Sequence, residues 1–366
     1  MKQRIDAVEG AARATTISTA RGEIRTPCFM PVGTRGAVRA VGADDLERLG
    51  AQVMLGNTYH LMLRPGADVI ARLGGLHRFT GFSGHLLTDS GGYQVFSLDP
   101  GGNVAVDDDG VTFRSTYDGT THRLTPEGAV SVQEQLGADI QMQLDVCPPL
   151  PSPPEVVRSA VERTIAWGAR AAAAHELAGQ ALFGIVQGGV DPVLRAEAAE
   201  RTVATGFAGY AVGGLSVGER RDELVPALAS ALAHLPGNRP RYLMGVGDPA
   251  DIVEAVGLGV DLFDCVLPTR LARHGTILTA AGRINLRNAA YADAEEPLDP
   301  ACGCEVCRRW SRGFLRHLVQ VGEPTGLRLT TLHNLSWTFG LVGRLRAAIE
   351  AGTFAAVRAE VLSTWG

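Results

Sequence analysis

The sequence lacks long apolar runs. Nowhere do about eighteen apolar residues follow one another, which excludes a membrane-spanning helix. The first ten residues, MKQRIDAVEG, include no apolar stretch, so we expect no signal peptide and a cytoplasmic location. Aromatic residues are also few, at 6%, but 45% of the chain is hydrophobic and 20% is charged, which is typical of a globular protein.

The chain also lacks an overall positive charge. Its net charge of −5 excludes a generally basic nucleic-acid-binding protein. The charge is uneven, because the segment from residue 301 onward has eight arginines against four glutamates and carries about +4. We interpret this segment mainly as a solvated helical surface, although a local basic patch can bind phosphates on an acidic protein.

Cysteines are scarce, and their spacing is uneven. Three of the six, Cys302, Cys304 and Cys307, lie within six positions. In a chain without a secretion signal, such a cluster is typical of a metal site and not of a disulfide framework. The fourth ligand must come from elsewhere, either from His333, which we interpret as the start of a helix, or from His317. An iron–sulfur site and a redox-active thiol pair are the alternatives.

Eight short apolar or β-branched runs each end at glycine or a polar residue. They are 29–32, 53–55, 86–88, 140–144, 182–186, 210–212, 242–244 and 262–263. Helix-like segments lie between most of them, for example 192–205 after Asp191 and 249–256 after Asp248, two aspartates placed to cap the helices. This alternation predicts a parallel sheet, closed as a (β/α)8 TIM barrel in one domain over residues 1–366. An open doubly wound sheet is the alternative.

Two intervals are too long for a single helix. Residues 98–125 contain Asp109-Gly110 and Asp118-Gly119 between β-branched runs, which predicts an antiparallel β-hairpin insertion. Residues 279–335 contain the cysteine cluster, and we expect a zinc-binding subdomain there. From Trp337 onward the sequence predicts two closing helices.

Polar residues and glycines follow the predicted strands. They are Asn57, Asp89, Asp145, Gln187, Gly213, Gly214, Gly245 and Asp264. A single aspartate after a strand is usually a helix cap, but in a TIM barrel these residues converge on one face, where catalytic sites lie. Two carboxylates facing one sugar carbon can perform a double displacement, and a third carboxylate with an amide can bind the edge of a guanine.

Five segments resemble the motifs of the tRNA-guanine transglycosylases, in their order along the chain. They are TDSGGYQV (88–95), GIVQGG (184–189), YAVGGLSVGE (210–219), YLMGVG (242–247) and DLFDCVLPTR (261–270). The resemblance extends from residue 26 to residue 348. It implies exchange of the guanine at the wobble position of GUN anticodons in tRNA for preQ1, a step in queuosine biosynthesis.

The resemblance also implies the roles of individual residues. Asp264 is expected to be the nucleophile that attacks C1′ and holds the tRNA covalently, and Asp89 the proton acceptor. The residues expected to bind the base are Asp89, Tyr93, Asp145, Gln187, Gly214, Leu215, Glu219 and Met244. Tyr93 and Met244 would hold the two faces of the purine, whereas Leu215 and Glu219 belong to the segment that recognises the aminomethyl group of preQ1. Arg270 and Arg273 would contact tRNA.

The same resemblance implies one structural Zn²⁺ per subunit and a homodimer. The zinc ligands would be Cys302, Cys304, Cys307 and His333, a closed Cys3His set. Cys147 and Val217 match the bacterial pattern, which favours preQ1 over the bulkier queuine. The chain departs from the family at Val146, Ser216 and Leu271-Ala272, and these departures concern the hydrogen-bond network and the loops.

Two other functions remain open at this point. A TIM-barrel glycosidase would share the carboxylate chemistry, but carbohydrate sites usually present several aromatic platforms and the strand ends here offer mainly Tyr93. A non-catalytic, zinc-stabilised tRNA-binding subunit would be expected to lack the nucleophile, yet both Asp89 and Asp264 are present.

Overall fold

The computed structural model describes residues 1–97 and 104–366. Its strands are β1 (Lys2–Glu9), β2 (Ala12–Ser18), β3 (Glu23–Thr26), β4 (Cys28–Gly33), β5 (Val53–Gly56), β6 (His85–Thr88), β7 (Ala105–Val106), β8 (Val111–Arg114), β9 (Thr121–Leu124), β10 (Ile140–Met142), β11 (Ala181–Val186), β12 (Gly209–Val212), β13 (Arg241–Leu243), β14 (Leu262–Cys265), β15 (Thr276–Thr279) and β16 (Gly282–Asn285). Its α-helices are α1 (Ala43–Arg48), α2 (Thr58–Leu63), α3 (Ala67–Arg72), α4 (Gly75–Thr80), α5 (Gly92–Ser97), α6 (Pro126–Leu136), α7 (Pro154–Ala174), α8 (Pro192–Thr205), α9 (Arg221–Ala233), α10 (Pro249–Gly257), α11 (Leu267–Arg273), α12 (Glu305–Arg309), α13 (Arg312–Val321), α14 (Pro324–Ala351) and α15 (Phe354–Trp365).

Eight parallel strands form a closed barrel, so the TIM-barrel prediction is confirmed and the open sheet is wrong. The order is β10-β11-β12-β13-β14-β4-β5-β6, and β10 pairs with β6 to complete the ring. Each of the eight predicted strands is present, although β10 ends at Met142 and β13 at Leu243, earlier than expected. Closure requires β14 to pair with β4, in a register that places Asp264 beside Met30.

The interior of the barrel is a packed apolar core. Every residue of β11 is buried, as expected for a strand that is covered on both faces. Gly209 in the neighbouring strand leaves room for the ring of Phe183, which a side chain at that position would overlap. Ile17 and Ile24 of the antiparallel sheet β1–β3 belong to the same core cluster as Met30 and Ile140 of the barrel strands. This sheet therefore covers one end of the barrel.

The helices begin where the sequence places their caps. Asp191 accepts hydrogen bonds from the N–H groups of Val193 and Leu194 at the start of α8, and Asp248 accepts one from Ala250 at the start of α10. These contacts satisfy N–H groups that have no partner within the helix.

No helix among the described residues is long and apolar enough to cross a bilayer.

The C-terminal helices differ from the prediction. The first of them, α14, begins at Pro324 after the capping residue Glu323, so Trp337 and His333 lie inside the helix and not at its start. Arg346 of α14 donates to the carbonyls of Thr15 and Thr26, at 2.8 and 2.7 Å. The chain thus returns to the N-terminal sheet after the barrel is complete.

Both predicted insertion regions contain antiparallel strands. In the first, β7, β8 and β9 form a three-stranded sheet whose turns contain Asp109-Gly110 and Asp118-Gly119, while residues 98–103 lie outside the described part of the chain. In the second, the β15–β16 hairpin and helices α12 and α13 pack against α14 in an apolar cluster that also includes Met54 of β5 and Leu86 of β6.

Candidate active site and metal centre

A cavity of about 300 Å³ opens at the carboxyl ends of the barrel strands. The polar residues and glycines that follow the strands in sequence all line it, namely Asn57, Asp89, Asp145, Gln187, Gly213, Gly214, Gly245 and Asp264. Of the other expected site residues, Tyr93, Leu215, Met244 and Arg270 also line the cavity. Glu219 and Arg273 do not line the cavity, although each lies within three residues of one that does, Val217 and Arg270 respectively.

Asp264 lies on β14 with one carboxylate oxygen held by two donors. The hydroxyl of Tyr242 donates to Oδ1 at 2.6 Å, and the N–H of Gly245 donates to the same oxygen at 2.7 Å. Burial raises the pKa of Asp264, and these two hydrogen bonds oppose that effect. These two donors fix Oδ1, whereas Oδ2 accepts no hydrogen bond from the described residues.

Asp89 follows β6 and is held on both carboxylate oxygens. Oδ2 accepts hydrogen bonds from the amides of Asn57 and Gln94, the latter at 2.9 Å, and Oδ1 accepts the N–H of Thr58 at 2.8 Å. Burial raises the pKa of Asp89 to about 6, the three donors oppose this, and the charge of Asp264 adds to it. Asp89 can therefore gain and lose a proton near neutral pH.

Asp145 and Gln187 form a hydrogen-bonded pair across two neighbouring strands. The amide of Gln187 donates to Oδ2 of Asp145 at 2.7 Å, and the hydroxyl of Ser90 donates to Oδ1 at 3.1 Å. Burial raises the pKa of Asp145. A carboxylate and an amide that are oriented in this way match the donors and acceptors on the edge of a purine.

The turn after β12 approaches Gln187 closely. Gly214 has φ of 66°, in the left-handed region, and a side chain there would collide with Oε1 of Gln187. Two residues further on, Ser216 has φ of 90° and its N–H donates to the carboxylate of Glu219, which also accepts the N–H of Val217 at 2.9 Å. Glu219 thus shapes the loop from behind and is not part of the cavity lining.

The remaining lining offers flat and apolar contacts. Tyr93 is 50% exposed, which leaves much of its ring accessible from the cavity. Met244 follows β13 and is partly buried. Burial raises the pKa of the Cys147 thiol to about 12, so this cysteine is a small apolar contact and not a nucleophile.

The cysteine cluster and His333 meet in the second insertion. The sulfurs of Cys302, Cys304 and Cys307 and a ring nitrogen of His333 all lie within 4.8 Å of one another. Nδ1 of His333 is 3.5 Å from the sulfur of Cys304 and 3.2 Å from that of Cys307, and Nε2 is 2.8 Å from the carbonyl of Leu278. That carbonyl fixes the tautomer in which Nδ1 is a free ligand atom. The four residues could bind one metal ion.

Sequence comparison supports a single family. A model of the family described as Queuine tRNA-ribosyltransferase matches residues 7–366. The queuine tRNA-ribosyltransferase of Solidesulfovibrio magneticus is 50% identical over 355 residues, which cover 96% of this chain and 95% of that relative. Those of Sphingopyxis alaskensis and Brucella suis are 50% and 48% identical, and the matches cover 97% and 99% of this chain and 96% of each relative. The chain belongs to the queuine tRNA-ribosyltransferase family.

Membership of the queuine tRNA-ribosyltransferase family confirms the resemblance that the five motifs indicate. It makes the chain a transferase of tRNA processing, a tRNA-guanine transglycosylase of queuosine biosynthesis. The glycosidase alternative is therefore wrong.

Three arginines, Arg39, Arg270 and Arg273, lie close to one another beside the cavity. Arg270 is exposed at its edge, on α11. The pKa of Arg273, one turn further along α11, is lowered by burial and by the positive charges of Arg39 and Arg270. In the part of the chain that the structure describes, none of the three forms an ion pair with a carboxylate. An anionic partner would relieve this repulsion.

The departures from the family pattern fall mostly outside the cavity. The side chain of Val146 packs in the apolar cluster around Trp167, and Ala272 is buried. Ser216 does line the cavity, in a backbone conformation that favours glycine. Only Ser216 is therefore placed to affect base binding directly.

Several residues that hold the site were not expected from the sequence. Asn57 was noticed only as a strand end, and Ser90 and Gln94 belong to a recognised motif without having been assigned a contact. Tyr242 was missed because a tyrosine within a barrel strand resembles ordinary core. The sequence did offer one indication of its role. Tyr242 precedes Met244 by two residues, on the strand next to the one that carries Asp264.

Proposed function

We propose that the chain exchanges guanine at the wobble position of GUN anticodons for preQ1 through a covalent enzyme–tRNA intermediate. The observation that carries this proposal is the convergence of Asp264, Asp89 and the Asp145–Gln187 pair on one cavity. Retention through a covalent intermediate requires one carboxylate as nucleophile and a second that transfers protons.

The reaction has two halves. In the first, a carboxylate oxygen of Asp264 bonds to C1′ of the ribose as the C1′–N9 bond breaks, and the departing guanine takes a proton from Asp89 on N9. In the second, Asp89 removes the N9 proton of the incoming base, whose N9 bonds to C1′ and releases Asp264. A pKa of about 6 suits Asp89 to both proton transfers.

The base would be held by hydrogen bonds at its edge and by contacts on its faces. Asp145, Gln187 and Gly214 line one side of the cavity, and Tyr93 and Met244 would enclose a purine that has been flipped out of the anticodon loop. An extruded base is required because the reacting C1′–N9 bond is otherwise covered by stacking.

The loop conformation supports preQ1 as the incoming base. The N–H of Ser216 donates to Glu219, and in a trans peptide the carbonyl of Leu215 points the opposite way. Because Leu215 lines the cavity, this carbonyl is available to accept a hydrogen bond from an aminomethyl group.

The metal is proposed to be one structural Zn²⁺. Three thiolates and one imidazole form a set that zinc prefers and that leaves no position open for a substrate. Each cysteine would bind the metal as a thiolate, so metal binding would release the thiol protons. Zinc would join α12 to α14 and so stabilise the second insertion.

The remaining expectations are also proposals. Arg270 and Arg273 are proposed to contact tRNA, and the cluster they form with Arg39 supports this. The homodimer rests on the family resemblance. The cytoplasmic location and the division of residues 1–366 into one barrel domain with insertions at 98–125 and 279–335 rest on the sequence patterns. A single species of monomer mass in light scattering at micromolar concentration would refute the homodimer.

The decisive experiment measures incorporation of labelled guanine into unmodified tRNA with a GUN anticodon. We expect the wild type to exchange the base and to show a covalent protein–tRNA band on denaturing gels. Asp264→Ala should do neither, since the attacking oxygen is gone. Asp293→Ala, which removes an exposed aspartate outside the cavity, is the matched control and should behave as the wild type.

Two results would contradict the proposal. If the wild type binds tRNA without exchange, the non-catalytic tRNA-binding subunit becomes the better interpretation. If Asp264→Ala still forms the band, another residue is the nucleophile.

A further inference from the structure

Arg195 on α8 is a fully buried arginine whose contacts are all backbone carbonyls. Its Nε donates to Gly189 at 2.8 Å, its Nη1 donates to Val186 at 2.9 Å and to Gly213 at 2.8 Å, and its Nη2 donates to Gly214 at 3.2 Å. One carbonyl belongs to the last residue of β11 and the other three to the turns after β11 and β12, which carry the Gln187 and Gly214 positions of the cavity.

A buried cation of this kind is unusual in the molecule. Arg13 and Arg346 are also buried, and each forms an ion pair, with Asp261 and with Asp6 respectively. Among the described residues, Arg195 forms none. Burial lowers its pKa to about 10, so the guanidinium still carries its charge at neutral pH. All hydrogen bonds of this charge are made to peptide groups, and the negative charge of Glu219 lies near enough to raise the pKa of Arg195 in part.

The direction of these carbonyls fixes the direction of two N–H groups. In a trans peptide the C=O and N–H point to opposite sides. Because the carbonyls of Gly213 and Gly214 point to the guanidinium, the N–H groups of Gly214 and Leu215 point away from it. In the described part of the chain neither N–H donates to a protein acceptor, and both residues line the cavity.

The glycines permit this arrangement. Gly214 has φ of 66°, so successive N–H groups can point to the same side and form a small concave site for a negatively charged or partly negative atom. Gly188, with φ of 150°, lies so close that a side chain there would be 3.0 Å from Cδ of Arg195. The two turns thus fit around the guanidinium.

We propose that Arg195 is a positioning residue for base specificity, which aims the N–H groups of Gly214 and Leu215 at a carbonyl oxygen on the six-membered ring of the purine. The inference rests on the proposed function, which supplies the purine. It predicts that a purine with an oxo group next to the ring fusion is favoured over one with hydrogen there, and that this preference depends on Arg195.

The test compares guanine with 2-aminopurine, which lacks the oxo group. The KM of labelled guanine in the exchange assay and the inhibition constant of 2-aminopurine are measured for the wild type, Arg195→Lys and Arg195→Met. We expect KM for guanine to rise about tenfold or more in both variants, while the inhibition constant of 2-aminopurine stays within about twofold. Arg201→Met, on the exposed side of α8, is the matched control and should change neither constant.

The outcomes separate specificity from general damage. If both constants rise together, or if neither changes, Arg195 does not set the preference and the inference is wrong. If the wild type shows neither exchange nor a covalent band, the proposed function fails and the inference fails with it.

A second measurement needs no variant. In wild-type protein labelled with ¹⁵N at glycine and leucine, the amide signals of Gly214 and Leu215 should shift with guanine and remain in place with 2-aminopurine. Equal shifts with the two bases would overturn the inference even where the variants do not fold.

Discussion

Burial and the charge of Asp264 give Asp89 a protonation equilibrium near neutrality. Under the proposed mechanism, capture of the incoming base requires ionised Asp89, so we expect kcat/KM for guanine to fall about tenfold for each pH unit below the pKa of Asp89. In the covalent intermediate Asp264 is esterified and its charge no longer raises the pKa of Asp89. The midpoint should therefore lie at or below about 6. Exchange kinetics between roughly pH 4.5 and 8 check this, and a flat profile would exclude Asp89 as the proton acceptor.

Tyr242 should influence both the attack and the departure of Asp264. Tyr242→Phe removes the hydrogen bond of 2.6 Å to Oδ1, so the pKa of Asp264 should rise and the acid limb of kcat/KM for tRNA should move up by about one pH unit. The carboxylate also becomes a poorer leaving group, so more covalent intermediate should accumulate on denaturing gels.

The matched control for this change is Tyr210→Phe. Tyr210 lies on the adjacent strand β12, and its hydroxyl reaches only the carbonyl of Val203, at 3.5 Å. Equal effects of the two substitutions would show that the loss arises from barrel packing and not from the carboxylate.

The residues that perform the chemistry could be predicted from sequence more readily than those that hold them. Asp89 and Asp264, to which the proposed mechanism assigns the chemistry, lie at the ends of predicted strands and in motifs, and strand ends meet at one face of a barrel. Arg195 could not be predicted in the same way, because an arginine on a helix usually lies at the surface. Its burial arises only when the turns after β11 and β12 fold over it, which depends on contacts distant in sequence.

At the level of elements, the cap of α8 has a measurable stability effect. Asp191→Ala removes the acceptor for the N–H groups of Val193 and Leu194. We expect a loss of about 1 kcal/mol in the free energy of unfolding, measured by urea denaturation. Exchange activity should change little, because Arg195 has its own four hydrogen bonds. A large loss of activity at unchanged stability would contradict this.

The metal centre should stabilise one insertion and leave the barrel intact. Cys302→Ser removes one of four ligands, so we expect the metal content to fall from one ion per chain and the melting temperature to drop. Far-ultraviolet circular dichroism should keep most of its helical signal, since the core clusters around Phe263 and Phe183, which hold most of the barrel strands, include none of the three cysteines. His317→Ala is the control, because His317 is not in the cluster. Metal loss in that variant would mean that the ligands are wrongly assigned.

Element type was predictable, whereas some boundaries were not. The eight strands and the caps at Asp191 and Asp248 follow from local patterns of apolar and capping residues. The start of α14 was placed too late because the apolar pattern around His333 resembles a helix start. The true start depends on Glu323 and Pro324, whose capping geometry is visible only in the fold.

At the scale of the whole molecule, binding of tRNA by an acidic protein should depend on a local cationic region. We expect KM for tRNA to rise steeply with salt while KM for free guanine does not. Arg270→Ala should reduce the slope of log KM against log salt by about 0.7, the contribution of one contact to a single strand. Arg358→Ala, on α15 and paired with Glu254, is the control and should leave the slope unchanged.

Closure of the barrel by β14 against β4 has a consequence for synthesis on the ribosome. The first barrel strand, β4, cannot complete its pairing until the last, β14, has been synthesised. Beside this strand pair, the hydrogen bond between Thr26 and Asp261 spans 235 residues. At ordinary translation rates of roughly 5–20 residues per second, we expect the nascent chain to expose two unpaired strand edges for on the order of tens of seconds. Strand β14, which pairs with these edges and closes the barrel, also carries Asp264. A nascent chain would therefore gain the proposed nucleophile only as it loses its aggregation-prone edges, and we expect a partly made barrel to form no covalent bond to tRNA.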